Sequence, residues 1–118
     1  MLILLKNSHE IIANDVKIAD TFFSRLVGWI GKKQIIEEEA LLIIPCSGVH
    51  TFGMKVPIDV VFLDSNNTVI KTVSKLKPNR ITSQHANAAK VLELKAENIE
   101  KYGIKNGDTI EVKEKSRN

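Results

Sequence analysis

The sequence predicts a single α+β domain that is predominantly β: a small barrel-like or closed antiparallel or mixed sheet with one or two short helices. Its 118 residues suit one domain. Hydrophobic residues make up 43% of the chain but aromatic residues only 5%, so the core must consist of Ile, Leu and Val, which favour strands. Short apolar runs at regular spacing, with one clear helical pattern, are typical of a small closed sheet with helical additions.

Apolar runs of strand length, bounded by turn-forming residues, mark the β elements. They predict extended segments over residues 2–5, 10–13, 16–19, 40–44, 49–54, 58–63, 68–73, 90–94 and 109–112. The polar stretch 64–67 predicts a hairpin turn between the sixth and seventh of these segments. We expect residues 1–112 to form one compact domain and residues 113–118 to be a charged flexible tail.

Residues 20–30 change to helical spacing and predict the main helix. Its apolar face consists of Phe22, Phe23, Leu26, Val27 and Ile30. Asp20 or Thr21 can cap the start of this helix, because a short side-chain oxygen accepts a free backbone N–H, and Gly31 can end it. A second short helix is expected over residues 96–102, ended by the glycine that follows.

Composition argues against several classes of protein. The formal net charge is +3, from 17 basic and 14 acidic residues, whereas a nucleic-acid binder usually shows a stronger excess together with stacking aromatics, so we expect no nucleic-acid partner. The single cysteine, Cys46, allows no internal disulfide and no zinc-ribbon spacing. No stretch approaches the roughly 20 apolar residues of a membrane helix. The apolar start of the chain is too short for a signal-peptide core. We therefore expect a cytoplasmic protein without a membrane span.

Residues 71–90 carry basic residues but no Asp or Glu. The basic residues are Lys71, Lys75, Lys77, Arg80 and Lys90. One interpretation is an ordinary solvated face of a strand and loop. The other is a docking surface for a small anion or an acidic partner, formed by Lys75, Lys77 and Arg80.

The most individual segment, residues 45–59, gathers reactive side chains among glycine and proline residues. Cys46, His50 and Met54 lie four apart and are soft ligands of the kind that bind copper(I). On a regular strand, residues four apart are separated by about 13 Å, too far for one metal ion, so we predict no metal site. Cys46, His50 and Asp59 also form a possible nucleophile set, with a buried, inert thiol as the alternative.

Two carboxylates border the predicted core. Asp59 opens an apolar strand and needs a partner, either the backbone N–H groups of a turn or the side chain of Arg25 or Arg80. Glu93 lies between two leucines and points to the opposite face, where we expect it to be exposed to solvent. A candidate pocket is predicted from Arg25, Cys46, His50, Met54 and Asp59.

Several ordered blocks of the chain resemble a known family. They are residues 21–28, Pro45-Cys46, His50-Thr51, Met54, residues 57–64, Lys77-Pro78, residues 91–94 and residues 103–108. Together they are similar to the domain of unknown function 192 family of bacteria and archaea, over about residues 15–112. The resemblance implies a compact, β-rich fold and no established activity. The chain departs from the family pattern at Trp29-Ile30, where Leu-Met is frequent, and at Glu97, where Gly is frequent.

No catalytic motif such as GxSxG, HExxH or GxGxxG occurs in the sequence. We therefore predict a non-enzymatic binding or accessory module for a protein or a small anionic ligand, without a cofactor. The alternative is a small enzyme that uses His50 with Cys46 or Asp59. Soft-metal binding through Cys46, His50 or His85 is a weaker alternative.

Overall fold

Two β-sheets and two short helices make up the fold in a computed structural model, which describes residues 2–115 apart from the side chains of Phe22 and Phe23. The strands are β1 (Leu2–Lys6), β2 (Glu10–Ala13), β3 (Asp15–Ala19), β4 (Glu39–Ile43), β5 (Ile58–Leu63), β6 (Val69–Leu76), β7 (Lys90–Lys95) and β8 (Ile110–Glu114). The helices are α1 (Phe22–Val27) and α2 (Asn98–Tyr102). The predicted fold class, α+β and predominantly β, is confirmed.

The strands form a three-stranded sheet in the order β2-β1-β8 and a five-stranded sheet in the order β3-β4-β7-β5-β6. The smaller sheet is antiparallel. In the larger sheet β3 pairs parallel with β4, and the other neighbours are antiparallel. The mixed sheet is therefore confirmed. Closure into a barrel is wrong, because the edge strands β3 and β6 do not pair with each other within residues 2–115.

Both faces of the larger sheet are covered, which is why its central strands are apolar on both sides. The cluster between the two sheets includes Leu42 of β4 and Val61 of β5. The alternate residues Leu41 and Phe62 point to the other face, where they pack in a second cluster with Trp29. This second face is the one on which the candidate site is built.

The first helix is shorter than the predicted 20–30. Thr21 caps its start as expected, because the Thr21 hydroxyl accepts the backbone N–H of Ser24. The helix ends before Gly28 rather than at Gly31. Gly28 has a φ of 50°, which suits glycine and breaks the helix, while its N–H still bonds the Ser24 carbonyl.

This early end changes which side chains are buried. Leu26 and Ile30, expected on the buried face, are 54% and 41% exposed. Trp29 is buried instead, because it follows the helix and packs in the second core cluster. Phe22 and Phe23 were also predicted on that face, but their side chains are outside the part of the structure that is described.

Other element boundaries also shift. Residues 49–54 form no strand and make only a single bridge, between His50 and Ile81. Helix α2 begins two residues later than predicted, because Glu97 adopts a φ of 83°. Strand β8 extends into the predicted tail as far as Glu114, and the rest of that tail from residue 116 lies outside the described residues. No helix found among residues 2–115 is long and apolar enough to cross a membrane.

Candidate functional site

A cavity of about 260 Å³ lies between α1 and the segment that follows β4. We call it the α1 cavity. It is lined by Arg25, Leu26, Val27, Gly28, Trp29, Ile30, Ile43, Pro45, Cys46, Gly48, Val49, His50, Met54 and Glu93. Most of these side chains are apolar. Four of the five residues of the predicted pocket, all except Asp59, line this cavity.

The segment 45–54 reaches the cavity because it is folded around Thr51. The Thr51 side chain is fully buried, and its hydroxyl donates to the Lys77 carbonyl at 2.6 Å and accepts the Arg80 N–H at 2.8 Å. The Thr51 N–H donates to the Arg80 carbonyl at 2.8 Å. These bonds tie the segment to the loop after β6 and bend it. A small polar residue between two glycine bends was the only signal of this role in the sequence.

Arg25 reaches the cavity from α1. Its Nη1 donates to the Pro45 carbonyl at 3.1 Å and its Nε to the Thr21 carbonyl at 3.3 Å. Both acceptors are neutral backbone groups, and the guanidinium forms no ion pair with any residue in the described part of the chain. Since guanidinium carries five N–H donors, several remain available on a partly buried positive group.

Cys46 presents a thiol rather than a thiolate to the cavity. Its Sγ donates to the Gly48 carbonyl at 3.1 Å. Burial raises the pKa of the Cys46 thiol, and the charge of Glu93 raises it further, while the Gly48 contact and Arg25 act in the opposite direction. A raised pKa keeps the sulfur protonated and poorly nucleophilic at neutral pH.

His50 and Met54 line the same cavity without activating Cys46. The ring of His50 stacks on Phe52, with 5.4 Å between ring centroids, and its Nδ1 accepts the Phe52 N–H at 3.3 Å. Met54 is buried. Among residues 2–115 no hydrogen bond joins His50 to Cys46. The structure brings the predicted residues to one cavity but does not form a thiol–imidazole pair.

Asp59 lies outside the cavity and accepts hydrogen bonds from backbone N–H groups. It is fully buried at the start of β5, where Oδ1 accepts the Lys75 N–H and Oδ2 accepts the Ile99 N–H, both at 2.8 Å. Asp59 thus fixes the end of β6 and a free N–H of α2. Of the two predicted partner types, the structure shows the backbone groups rather than Arg25 or Arg80.

Glu93 lines the cavity but was not among the predicted pocket residues. The prediction that Glu93 is exposed to solvent is wrong. It is 5% exposed, because α1 and segment 45–54 cover the face to which it points. Burial raises the pKa of Glu93 to about 7. The carboxyl has no hydrogen bond or ion pair with any described residue, and its Oε1 lies 3.9 Å from the place that a Cβ would take on Gly28. A lone glutamate within a strand that is central to the sheet was the available signal.

The predicted docking surface of Lys75, Lys77 and Arg80, which we call the basic face, lies outside the cavity. Lys75, Lys77 and Arg80 are exposed at the end of the edge strand β6 and in the loop that follows. Arg80 folds its Nη1 onto the carbonyls of Pro78 and Asn79, both at 3.4 Å. None of the three basic side chains forms an ion pair within the described chain. Residues 2–115 also contain no group of three or more His, Cys, Asp or Glu arranged to hold a metal ion.

The fold and the α1 cavity define a small α+β domain with an apolar pocket that contains two oppositely charged groups. The chain belongs to the domain of unknown function 192 family (DUF192, described as Uncharacterized ACR), whose model matches residues 3–112. The resemblance indicated by the ordered sequence blocks is therefore confirmed. The family description names no activity.

Similar proteins agree with this membership. The UPF0127 protein PH1112 of Pyrococcus horikoshii is 38% identical over 84 residues, which cover 67% of this chain and 70% of that protein. A UPF0127 protein of Thermococcus sibiricus is 29% identical over 115 residues, which cover 93% of this chain and 73% of that protein.

Two crystal structures share the fold. A protein of unknown function from Novosphingobium aromaticivorans superposes with a TM-score of 0.81 at 17% identity, covering 93% of this chain and 82% of that one. A proposed transcription regulator from Sinorhizobium meliloti gives a TM-score of 0.81 at 22% identity, covering 94% of this chain and 91% of that one. At these identities the likeness shows the fold alone.

Proposed function

We propose that this protein is a non-enzymatic binding module, and that its ligand is a small molecule with an apolar body and an anionic group held in the α1 cavity. The observation that carries the proposal is the Arg25 guanidinium, which lines a mostly apolar cavity and, within the described residues, bonds only neutral carbonyls. A planar guanidinium binds carboxylates and phosphates through paired N–H donors, and it does so more strongly where water is excluded.

The cavity has the dimensions of a site for a small ligand. Pockets for drug-sized ligands occupy about 300–1,000 Å³, with mostly apolar walls and a few placed polar groups. The α1 cavity, at about 260 Å³, lies just below that range. Its apolar wall includes Trp29, Ile43 and Met54, which belong to the packed core and hold the shape of the cavity without a ligand. A compact organic acid of fewer than about ten non-hydrogen atoms suits this volume.

A protein partner is the other half of the proposed binding role, and the basic face is its proposed surface. Lys75, Lys77 and Arg80 expose three positive charges close together in the chain, and none of them forms an ion pair within residues 2–115. An acidic partner would be attracted to them. Lysines on an edge strand such as β6 also prevent pairing with other strands, so this surface has a structural explanation as well. The cavity is therefore the better supported site.

The arrangement favours binding over catalysis. A thiol nucleophile needs a lowered pKa and a neighbouring base, whereas burial raises the pKa of Cys46 and no described residue accepts its proton except the Gly48 carbonyl. Asp59 is committed to two backbone N–H groups. Soft-metal binding stays a weaker alternative, supported only by the common placement of Cys46, His50 and Met54 on one cavity.

Amide chemical-shift mapping with matched probes tests the proposal. 4-Methylpentanoate supplies an apolar body and a carboxylate, and 4-methylpentanamide is its neutral counterpart. We expect the acid to perturb the amides around the α1 cavity and the amide to bind more weakly. Arg25→Gln should lower the affinity for the acid about ten-fold or more, since a charge-assisted hydrogen bond contributes about 1.5–3 kcal/mol.

Arg80→Gln is the matched control, because it removes the same charge from the exposed loop. Arg25→Lys keeps the charge but loses the planar fork, so an intermediate affinity is expected. Equal affinities for the acid in the wild type and in Arg25→Gln would contradict the proposal. So would perturbations confined to amides outside residues 25–30 and 43–54.

A further inference from the structure

The α1 cavity contains a second polar group that an anionic ligand does not explain. Glu93 is 5% exposed, lines the cavity, and has no hydrogen bond or ion pair with any residue in the described chain. No buried side-chain N or O atom in the described part of the chain lacks a hydrogen-bond partner, so the unpaired oxygens of Glu93 open onto the cavity. A carboxyl with so little contact to bulk solvent is stabilised by a donor that enters the cavity. A carboxyl in this position is complementary to a cationic donor.

Arg25 and Glu93 both line the cavity and both act electrostatically on the thiol of Cys46. The charge of Glu93 raises the pKa of Cys46 and the charge of Arg25 lowers it, so both lie close enough to act on that sulfur. Yet Arg25 and Glu93 form no ion pair with each other, and burial is the only cause of the pKa shift of Glu93. The cavity therefore presents a guanidinium and a carboxyl that do not pair with each other, within a mostly apolar lining.

We propose that Glu93 is a ligand-binding residue, and that the ligand of the α1 cavity is a small amphoteric molecule with an ammonium group, an anionic group and an apolar body. The ammonium pairs with Glu93, and the anionic group pairs with Arg25. The inference rests on the proposed function and narrows its ligand class. An ammonium supplies the opposite charge and the hydrogen bonds that the described residues do not give the Glu93 carboxylate, and this gain is larger at a partly buried site than in water.

Three probes with one apolar body separate the two charges. L-Leucine carries both groups, 4-methylpentanoate lacks the ammonium, and 3-methylbutylamine lacks the carboxylate. Dissociation constants are measured at pH 8 by titration calorimetry or amide shifts on the full chain. We expect L-leucine to bind roughly ten-fold more tightly than either of the other two, which is the effect of one added charge-assisted pair.

Glu93→Gln removes the charge with little change in shape. We expect it to abolish the advantage of L-leucine over 4-methylpentanoate without weakening the binding of 4-methylpentanoate, because the variant removes a negative charge that repels the carboxylate. Thermal unfolding confirms that the variant is folded. Glu93→Asp, which keeps the charge on a shorter side chain, should retain part of the advantage.

The pH dependence gives an independent readout. The ammonium pairs with ionised Glu93, so the affinity for 3-methylbutylamine should rise about ten-fold between pH 6 and pH 8 as the carboxyl of pKa about 7 loses its proton. The other titratable or charged groups on the cavity are Arg25, Cys46 and His50, and the strand neighbours of Glu93, Leu41 and Val60, do not titrate. His50→Gln should keep this rise and Glu93→Gln should remove it.

The outcomes distinguish the two proposals. If 4-methylpentanoate binds through Arg25 but L-leucine binds no better, the binding function stands and the amphoteric ligand is wrong. A rise with pH that persists in Glu93→Gln, or disappears in His50→Gln, also overturns the role of Glu93. If none of the probes perturbs the cavity at millimolar concentration, both proposals fail.

Discussion

Replacing Glu93 with glutamine should make the protein more stable at alkaline pH. Glu93 is nearly fully buried in the central strand β7, and burial raises its pKa from 4.5 to about 7. Because each pKa unit corresponds to 1.36 kcal/mol, ionisation in the folded protein costs about 3 kcal/mol more than in the unfolded chain. The unliganded protein bears this cost whenever Glu93 is charged.

The sign of the pH effect follows from which state holds the proton more tightly. Between pH 4.5 and pH 7 the folded protein keeps the Glu93 proton while the unfolded chain has lost it. The free energy of unfolding therefore falls as pH rises through this window, and the loss is complete above pH 7. In Glu93→Gln this contribution is absent. The free energy of unfolding of the variant, relative to that of the wild type, should therefore increase by about 3 kcal/mol from pH 4 to pH 8.

Urea unfolding at pH 4, 5, 6, 7 and 8 measures this difference. The contributions of the other titrating groups cancel when the free energy of unfolding of the wild type is subtracted from that of the variant. Glu100→Gln is the matched control. Because Glu100 is exposed, its replacement should change the free energy of unfolding by the same amount at pH 4 and at pH 8. Parallel stability curves for wild type and Glu93→Gln would refute the reasoning, since they would mean that Glu93 is hydrated or paired in solution.

Three further outcomes are expected. Asp59→Asn should lower the free energy of unfolding by about 2 kcal/mol or more, because it weakens two buried bonds from backbone N–H groups to a carboxylate. Alkylation of Cys46 by iodoacetamide should be slower than that of a free thiol at pH 8, and should accelerate up to at least pH 9, because burial raises its pKa. Reversing the charges of Lys75, Lys77 and Arg80 to glutamate should remove proteins recovered by affinity capture with the wild type.

Each of these outcomes has a control and a contradicting result. For Asp59, the exposed Asp20→Asn should be neutral, and an equally stable Asp59→Asn would refute the capping role. For Cys46, a rate that levels off below pH 8 would indicate a thiolate and favour the enzyme alternative. For the basic face, the control reverses the exposed Lys33, Lys55 and Lys113, and identical captured proteins would exclude the face as the docking surface.

Local sequence patterns predicted most elements of the fold, because burial and turn chemistry act over short distances. Residues 10–13 and 58–63 are strands at the predicted bounds, and the other strands differ from the predicted bounds by one to three residues at one or both ends. Closure of the sheet could not be predicted, because it depends on whether β3 and β6 meet. No local pattern encodes that distance.

The candidate site was predictable in its residues but not in its geometry. On a regular strand, the spacing of Cys46, His50 and Met54 would keep the three side chains apart. Bonds from Thr51 to a loop more than twenty-five residues away bend the segment instead, and the three side chains come to one cavity. Glu93 was misjudged for a related reason. The alternation of side chains correctly gave its face, but what covers that face is a tertiary property.

The cost of burying Glu93 bears on the binding role proposed for the α1 cavity. Small domains are stable by only about 5–15 kcal/mol, so a cost of about 3 kcal/mol is a large fraction of the total. Glutamine or leucine at this position would avoid that cost, since the surrounding wall is apolar. A buried group that lowers stability and has no partner among residues 2–115 is expected at positions where function rather than folding sets the residue. A cationic ligand group would remove the penalty on binding, so the free energy that destabilises the empty protein becomes affinity for the filled one.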